Sequence, residues 1–195
     1  MNKILIEIKQ NIFKNQAVFI GGIVVFILGL LLGFFLPSVE TVDNLFYGFP
    51  SDYFNKIMCI DASPFSVLLT RILNSLLLIL LVCILCFNKY SFYFNFVIII
   101  YRGFIIGYTF IVFALNLGFS GVITYLFLVL VQNVFVTFAV ILLITNVYDK
   151  LICKNDKYIN ILIKYSIISY GICLVGALFE FILIVCLFRP LNLYF

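Results

Sequence analysis

Residues 101–133 read YRGFIIGYTFIVFALNLGFSGVITYLFLVLVQN. Two long apolar runs flank the short segment Gly118-Phe119-Ser120-Gly121, and the stretch holds a single charged side chain, Arg102. A helix needs about 20 apolar residues to cross roughly 30 Å of hydrocarbon, and both runs reach that length once their neighbours are included. Glycine at both ends of the turn suits a helix C-cap followed by reversal. The stretch therefore predicts a tight antiparallel hairpin of membrane-crossing helices, at 92–117 and 122–147, with Asn116, Gly118 and Gly121 shaping the turn.

The rest of the chain repeats the pattern. Its 195 residues are 66% hydrophobic and 10% charged, with a mean hydropathy of +1.28. A soluble domain would be about 25% charged, so the composition places the whole chain in a membrane. Further spans fall at 17–36, 65–87 and 165–188. The expected fold is all-α: one polytopic integral membrane domain over 1–195, with five transmembrane helices in one bundle. The first run is too long for a signal-peptide core and no small-residue cleavage site follows it. It reads as an uncleaved span behind a short amphipathic leader, residues 1–16.

Orientation follows from basic residues near the span ends. Lys3, Lys9, Lys14, Lys89, Lys150, Lys154, Lys157 and Lys164 share one side in a five-span topology, against Lys56 and Arg189 on the other. This predicts a multi-pass protein of the cell membrane with a cytoplasmic N-terminus and an extracytoplasmic C-terminus. The segment 37–64 is then extracytoplasmic. It carries Glu40, Asp43, Asp52 and Asp61 with apolar residues at roughly helical spacing, as a docking surface or as a packed cover for the bundle. The cytoplasmic segment 149–164 has four lysines and two aspartates, and is attracted to anionic membrane lipid.

Polar groups within spans are costly and face protein rather than lipid. Arg102 lies near the bilayer midplane, and Gln132 and Asn133 reach a similar depth from the other arm of the hairpin. Glu180 is the one acidic residue deep in a span. These four form an expected polar cluster in which Arg102 pairs with Glu180 and the amides complete the arginine's bonds. The cluster either fixes helix register or binds a substrate, proton or partner. Arg71 is short of the span centre and can snorkel, while Asn74 is placed to hydrogen-bond another helix. Gly29 and Gly33, and Gly103 and Gly107, form two G-x-x-x-G strips where a helix can approach closely. They serve either packing within the bundle or formation of a homo-oligomer.

The chemistry the chain excludes is as informative. Histidine, the commonest general base and metal ligand, is absent. Cys83 and Cys86 form a C-x-x-C within an apolar run, without a second pair, and read as buried hydrophobes. The sequence predicts no catalytic residue, no metal, no cofactor and no nucleic-acid partner.

The hairpin resembles the signature region of the stage II sporulation protein M family. That family is similar in having a basic residue and two spaced glycines, here Arg102-Gly103-Phe104-Ile105-Ile106-Gly107. A polar residue and paired glycines follow, here Asn116-Leu117-Gly118-Phe119-Ser120-Gly121. Pro-Gln-Asn comes in the next helix, here Val131-Gln132-Asn133. The Gly29–Gly33 strip, an acidic residue before a proline in the last span (Glu180) and the five-span layout extend the resemblance. Val131 stands where the family has proline, and Arg102 where it often has lysine. The resemblance implies a non-catalytic scaffold that recruits or organises peptidoglycan hydrolases, sporulation proteins D and P, at the septal membrane during engulfment. The alternative is a permease-like subunit of a transporter working with an ATP-binding cassette ATPase. A self-contained channel or carrier is a third possibility.

Overall fold

In a computed structural model of the chain, the described residues are 2–35, 64–152 and 158–188. All but the last residue of the expected outer segment 37–64, and the middle of the basic segment (153–157), lie outside them, as do Cys59, Cys153 and Arg189.

The element order is α1 (Asn2–Lys14), α2 (Gln16–Phe35), α3 (Pro64–Leu85), the short α4 (Lys89–Phe92), α5 (Phe94–Thr124), a π-helical segment π1 (Tyr125–Leu130), α6 (Val131–Ile152), α7 (Tyr158–Leu183) and a second π segment π2 (Ile184–Phe188). No strand occurs among the described residues. Among the described residues, five helical stretches are long and apolar enough to cross a membrane: Gln16–Phe35, Phe65–Leu85, Lys89–Leu115, Tyr125–Ile152 and Tyr158–Cys186. The protein is an all-α membrane bundle, as its composition requires.

The hairpin turns at Gly118, inside what is otherwise unbroken helix. Gly118 has φ 58° and ψ −136°, a left-handed conformation in which a Cβ is strained. A side chain there would meet nothing within 4 Å, so backbone conformation, not space, demands the glycine. The chain then runs back along itself. The Tyr125 hydroxyl donates to the Ile106 carbonyl at 2.6 Å, and the Tyr125 ring packs edge-on against Phe110 with centroids 5.3 Å apart.

Helix α6 is the centre of the bundle. Residues 139–147 are buried without a break, the pattern of a helix surrounded on all sides. The main core joins it to Ile79 and Val82 of α3, Phe92 of α4, Ile99 of α5, and Leu162 and Tyr165 of α7. A smaller core in the other half of the bundle holds Ile106, Phe113, Tyr125 and Val129.

Helices α2 and α5 run parallel and meet through both glycine strips. A Cβ at Gly29 would overlap the carbonyl of Ile100, and one at Gly33 would lie 2.8 Å from the Tyr108 nitrogen. From the other side, a Cβ at Gly103 would lie 2.9 Å from the Leu30 nitrogen, and one at Gly107 would lie 3.2 Å from the Gly33 Cα. Real Cβ atoms essentially never come within 3.0 Å of such atoms, and seldom within 3.4 Å. The two strips are therefore one reciprocal contact within the chain, close enough for the van der Waals packing that drives association in lipid.

Most span boundaries agree with expectation to within three residues, and two differ by more. The fourth span runs on to Ile152, beyond residue 147, and the fifth begins at Tyr158, ahead of residue 165. The extra turns contain Asp149 and Lys164, which looked like loop. Both are accommodated by α1: Lys14 pairs with Asp149 at 2.9 Å, and Lys164 with Glu7 at 2.6 Å.

Candidate functional site: charged contacts inside the bundle

Glu180 is 2% exposed, and its partner is Arg71, not Arg102. Arg71 Nη2 donates to Glu180 Oε1 at 3.1 Å. Depth explains the choice. Arg71 is seven residues into α3 from Pro64 and Glu180 is eight residues before the end of π2, so each lies about 10–12 Å from the same end of the bundle. Arg102 is sixteen residues from the Gly118 turn, about 24 Å from that end. Glu180 therefore ties α7 to α3, and snorkelling is not what Arg71 does.

Arg102 instead donates from Nη1 to Asn133 Oδ1 at 3.2 Å. Asn133 Nδ2 donates to the Val129 carbonyl at 2.8 Å, and the Thr137 hydroxyl donates to the Asn133 carbonyl at 2.8 Å. The expected cluster of four thus divides into two contacts: Arg102 with Asn133 across the hairpin, and Glu180 with Arg71. Gln132 is buried, and its Oε1 has no hydrogen-bond partner among the described residues; neither has Glu180 Oε2. The two helices that carry them are packed in register, since a Cβ at Gly176 would lie 2.8 Å from Phe135 Cβ. One helical turn nearer the Gly118 end on each, Glu180 lies at the level of Val131 and Gln132.

Both π segments adjoin these contacts. π1 ends directly before Val131-Gln132-Asn133, and π2 starts four residues after Glu180. Ile184 of π2 packs on the small core that contains Tyr125 and Val129 of π1. Such π turns often occur where function demands an irregular helix. Nothing in a run of Leu, Val and Phe marks them in the sequence. Val131 falls on the boundary where π1 gives way to α6.

A second polar network closes the opposite end, and sequence reasoning did not find it. Asn11 Nδ2 donates to Asn146 Oδ1 at 3.1 Å and to the Tyr165 hydroxyl at 2.9 Å. The Tyr165 hydroxyl donates to Glu7 Oε1 at 3.0 Å, and Asn15 Nδ2 donates to the Thr145 carbonyl at 3.0 Å. Glu7 and Asn11, one turn apart on α1, both reach Tyr165, so α1 lies across the end of the bundle rather than extending α2. The hydrogen bond from Lys164 holds the Glu7 carboxyl below its ordinary range. The amphipathic pattern of 1–16 gave the helix; its partners, 130 or more residues away in α6 and α7, could not be read from spacing.

The remaining candidates are placed as follows. Cys83 Sγ lies 2.8 Å from Ser166 Oγ, and Cys86 and Cys173 are fully buried, as small hydrophobes would be. Tyr158 donates its hydroxyl to the Cys86 carbonyl. Asn74, expected to bond a neighbouring helix, is exposed instead. The side chain of Asn116 lies outside the described residues, and Gly121 follows the turn within α5. Among the described residues, no three His, Cys, Asp or Glu are grouped to hold a metal ion. Chemically, the arrangement fixes helices by charge and amide bonds. No family model, curated protein sequence or solved structure matches the chain.

Proposed function

We propose that this protein is a non-catalytic scaffold of the cell membrane, related to stage II sporulation protein M, which organises peptidoglycan hydrolases at the septal membrane. Its N-terminus is cytoplasmic and its C-terminus extracytoplasmic. The observation that carries this reading is how the polar groups of the spans are used. Arg71, Glu180, Arg102, Asn133 and Tyr125 bond one helix to another, which suits a fixed platform more than a path for solute. The resemblance of the hairpin to that family supplies the hydrolase partners, and the excess of lysine at the α1 end supports the orientation.

The second reading is a permease-like subunit working with an ATP-binding cassette ATPase. Transporters bind substrate where helices are irregular within the membrane, and the π segment that ends beside Gln132 favours it.

Affinity purification of the tagged protein from its own membranes distinguishes the two. The scaffold reading expects a cell-wall hydrolase to co-purify. Recovery of an ATPase in fixed ratio, without a hydrolase, would overturn it.

A further inference from the structure

Among the described residues, helix α3 packs chiefly against α7, and its far side is exposed. That side presents Thr70, Asn74, Leu77, Leu81 and Ile84, all exposed. Their spacing alternates four, three, four, three. This is the seam of a left-handed coiled coil, with Asn74 and Leu81 at a positions and Thr70, Leu77 and Ile84 at d positions.

Asn74 is the unusual member. It lies ten residues into a 22-residue helix, about 15 Å from its start. Gln16, Asn88 and Asn160 are also exposed, but they sit at helix ends where water or headgroups reach them. No described residue hydrogen-bonds the Asn74 amide, and hydrocarbon offers it neither donor nor acceptor. Its own helix could offer the amide N–H a carbonyl, as Val129 and Leu142 do for Asn133 and Asn146, but a donor for the amide oxygen has to come from another molecule at the same depth.

A second copy of the chain supplies one without further requirement. Copies inserted in one membrane share one topology, so a pair of α3 helices related by a twofold axis is parallel and sets identical residues at identical depth. A carboxamide is both donor and acceptor, hence complementary to itself. A single asparagine at an a position is also the device that sets register in parallel coiled-coil dimers. The glycine strips, the other surface suited to self-association, are already occupied by the α2–α5 contact.

We propose that α3 is a homodimer interface in which the Asn74 amides of two copies bond to each other, flanked by Thr70, Leu77, Leu81 and Ile84. The test is energy transfer between donor- and acceptor-labelled full-length protein in phospholipid vesicles, titrated by protein-to-lipid ratio. Wild type is expected to dimerise. Asn74→Leu is expected to weaken the dimer roughly 3- to 30-fold, the range measured for interhelical hydrogen bonds in bilayers. Asn74→Gln should retain it. Because Asn74 bonds to nothing else among the described residues, the helical circular dichroism and melting temperature of the monomer should stay unchanged. A monomeric wild type would overturn the proposal, including one that binds a different membrane protein through α3. So would an Asn74→Leu variant that associates as strongly as wild type.

Discussion

Helices α2 and α5 meet backbone to backbone across four glycines, whereas α3 and α7 meet through a buried arginine–glutamate pair. Both contacts hold neighbouring helices in an environment where the hydrophobic effect gives no help, because lipid tails are as apolar as the side chains. The glycine contact works by shape. It has no charge to satisfy, tolerates any pH, and fails only when volume is added. The ion pair works by complementarity. It fails when either member is lost, since the survivor keeps its charge in a low-dielectric surrounding. Shape holds the first pair of helices; partner identity holds the second.

The largest effect is expected at the charged contact. Glu180→Gln leaves the Arg71 guanidinium without its carboxylate. Removal of one partner from a buried pair costs about 3–5 kcal/mol, and Arg71, with 15% of its side chain exposed, should place the cost at the lower end. Thermal unfolding in detergent measures it. An unchanged melting temperature would remove the ion pair from the account. Next in size is the glycine contact. Gly29→Val forces a branched side chain into the Ile100 backbone, and overpacking of this kind costs about 1–3 kcal/mol. The same substitution at Gly171, where a Cβ meets nothing within 4 Å, serves as the control and should cost less. Equal losses at the two positions would show that helix propensity, not the α2–α5 approach, is being measured.

The smallest effect lies at the α1 end. The hydrogen bond from Lys164 holds the folded-state pKa of Glu7 below its ordinary value of 4.5. A lowered carboxylate contributes stability that is present above the unfolded value and is lost as pH falls through the folded one. Wild type should therefore lose a small increment of stability below about pH 4.5, and Glu7→Gln should lack that increment. The pair is largely solvent-exposed, so the increment is small and should shrink further in high salt. A pH profile unchanged by Glu7→Gln would exclude it.

The sequence carries the shape-based contact far more openly than the charge-based one. Gly29, Gly33, Gly103 and Gly107 are spaced by four, and four is a property of one helix, visible without a partner. The turn at Gly118 is visible for the same reason: its conformation is local. Five spans follow from apolar length alone. Arg71 and Glu180 are separated by 109 residues, and only their shared depth relates them. Counting residues from the same end of the bundle selects Arg71 over Arg102, a signal that is present but easily passed over for an arginine close to an interface. The network of Glu7, Asn11, Asn146 and Tyr165 depends on α1 lying across the bundle, and no periodicity encodes that. The two π segments leave no mark in composition at all.

The division of the polar residues into an Arg71–Glu180 contact and an Arg102–Asn133 contact is tested most directly by double-mutant cycles on thermal unfolding. Arg71→Met with Glu180→Leu should be clearly less destabilising than the sum of the two single changes, by the 0.5–3 kcal/mol typical of residues in contact. Arg102→Met with Glu180→Leu should be additive within about 0.5 kcal/mol. Coupling of Glu180 to Arg102, with additivity at Arg71, would contradict the account.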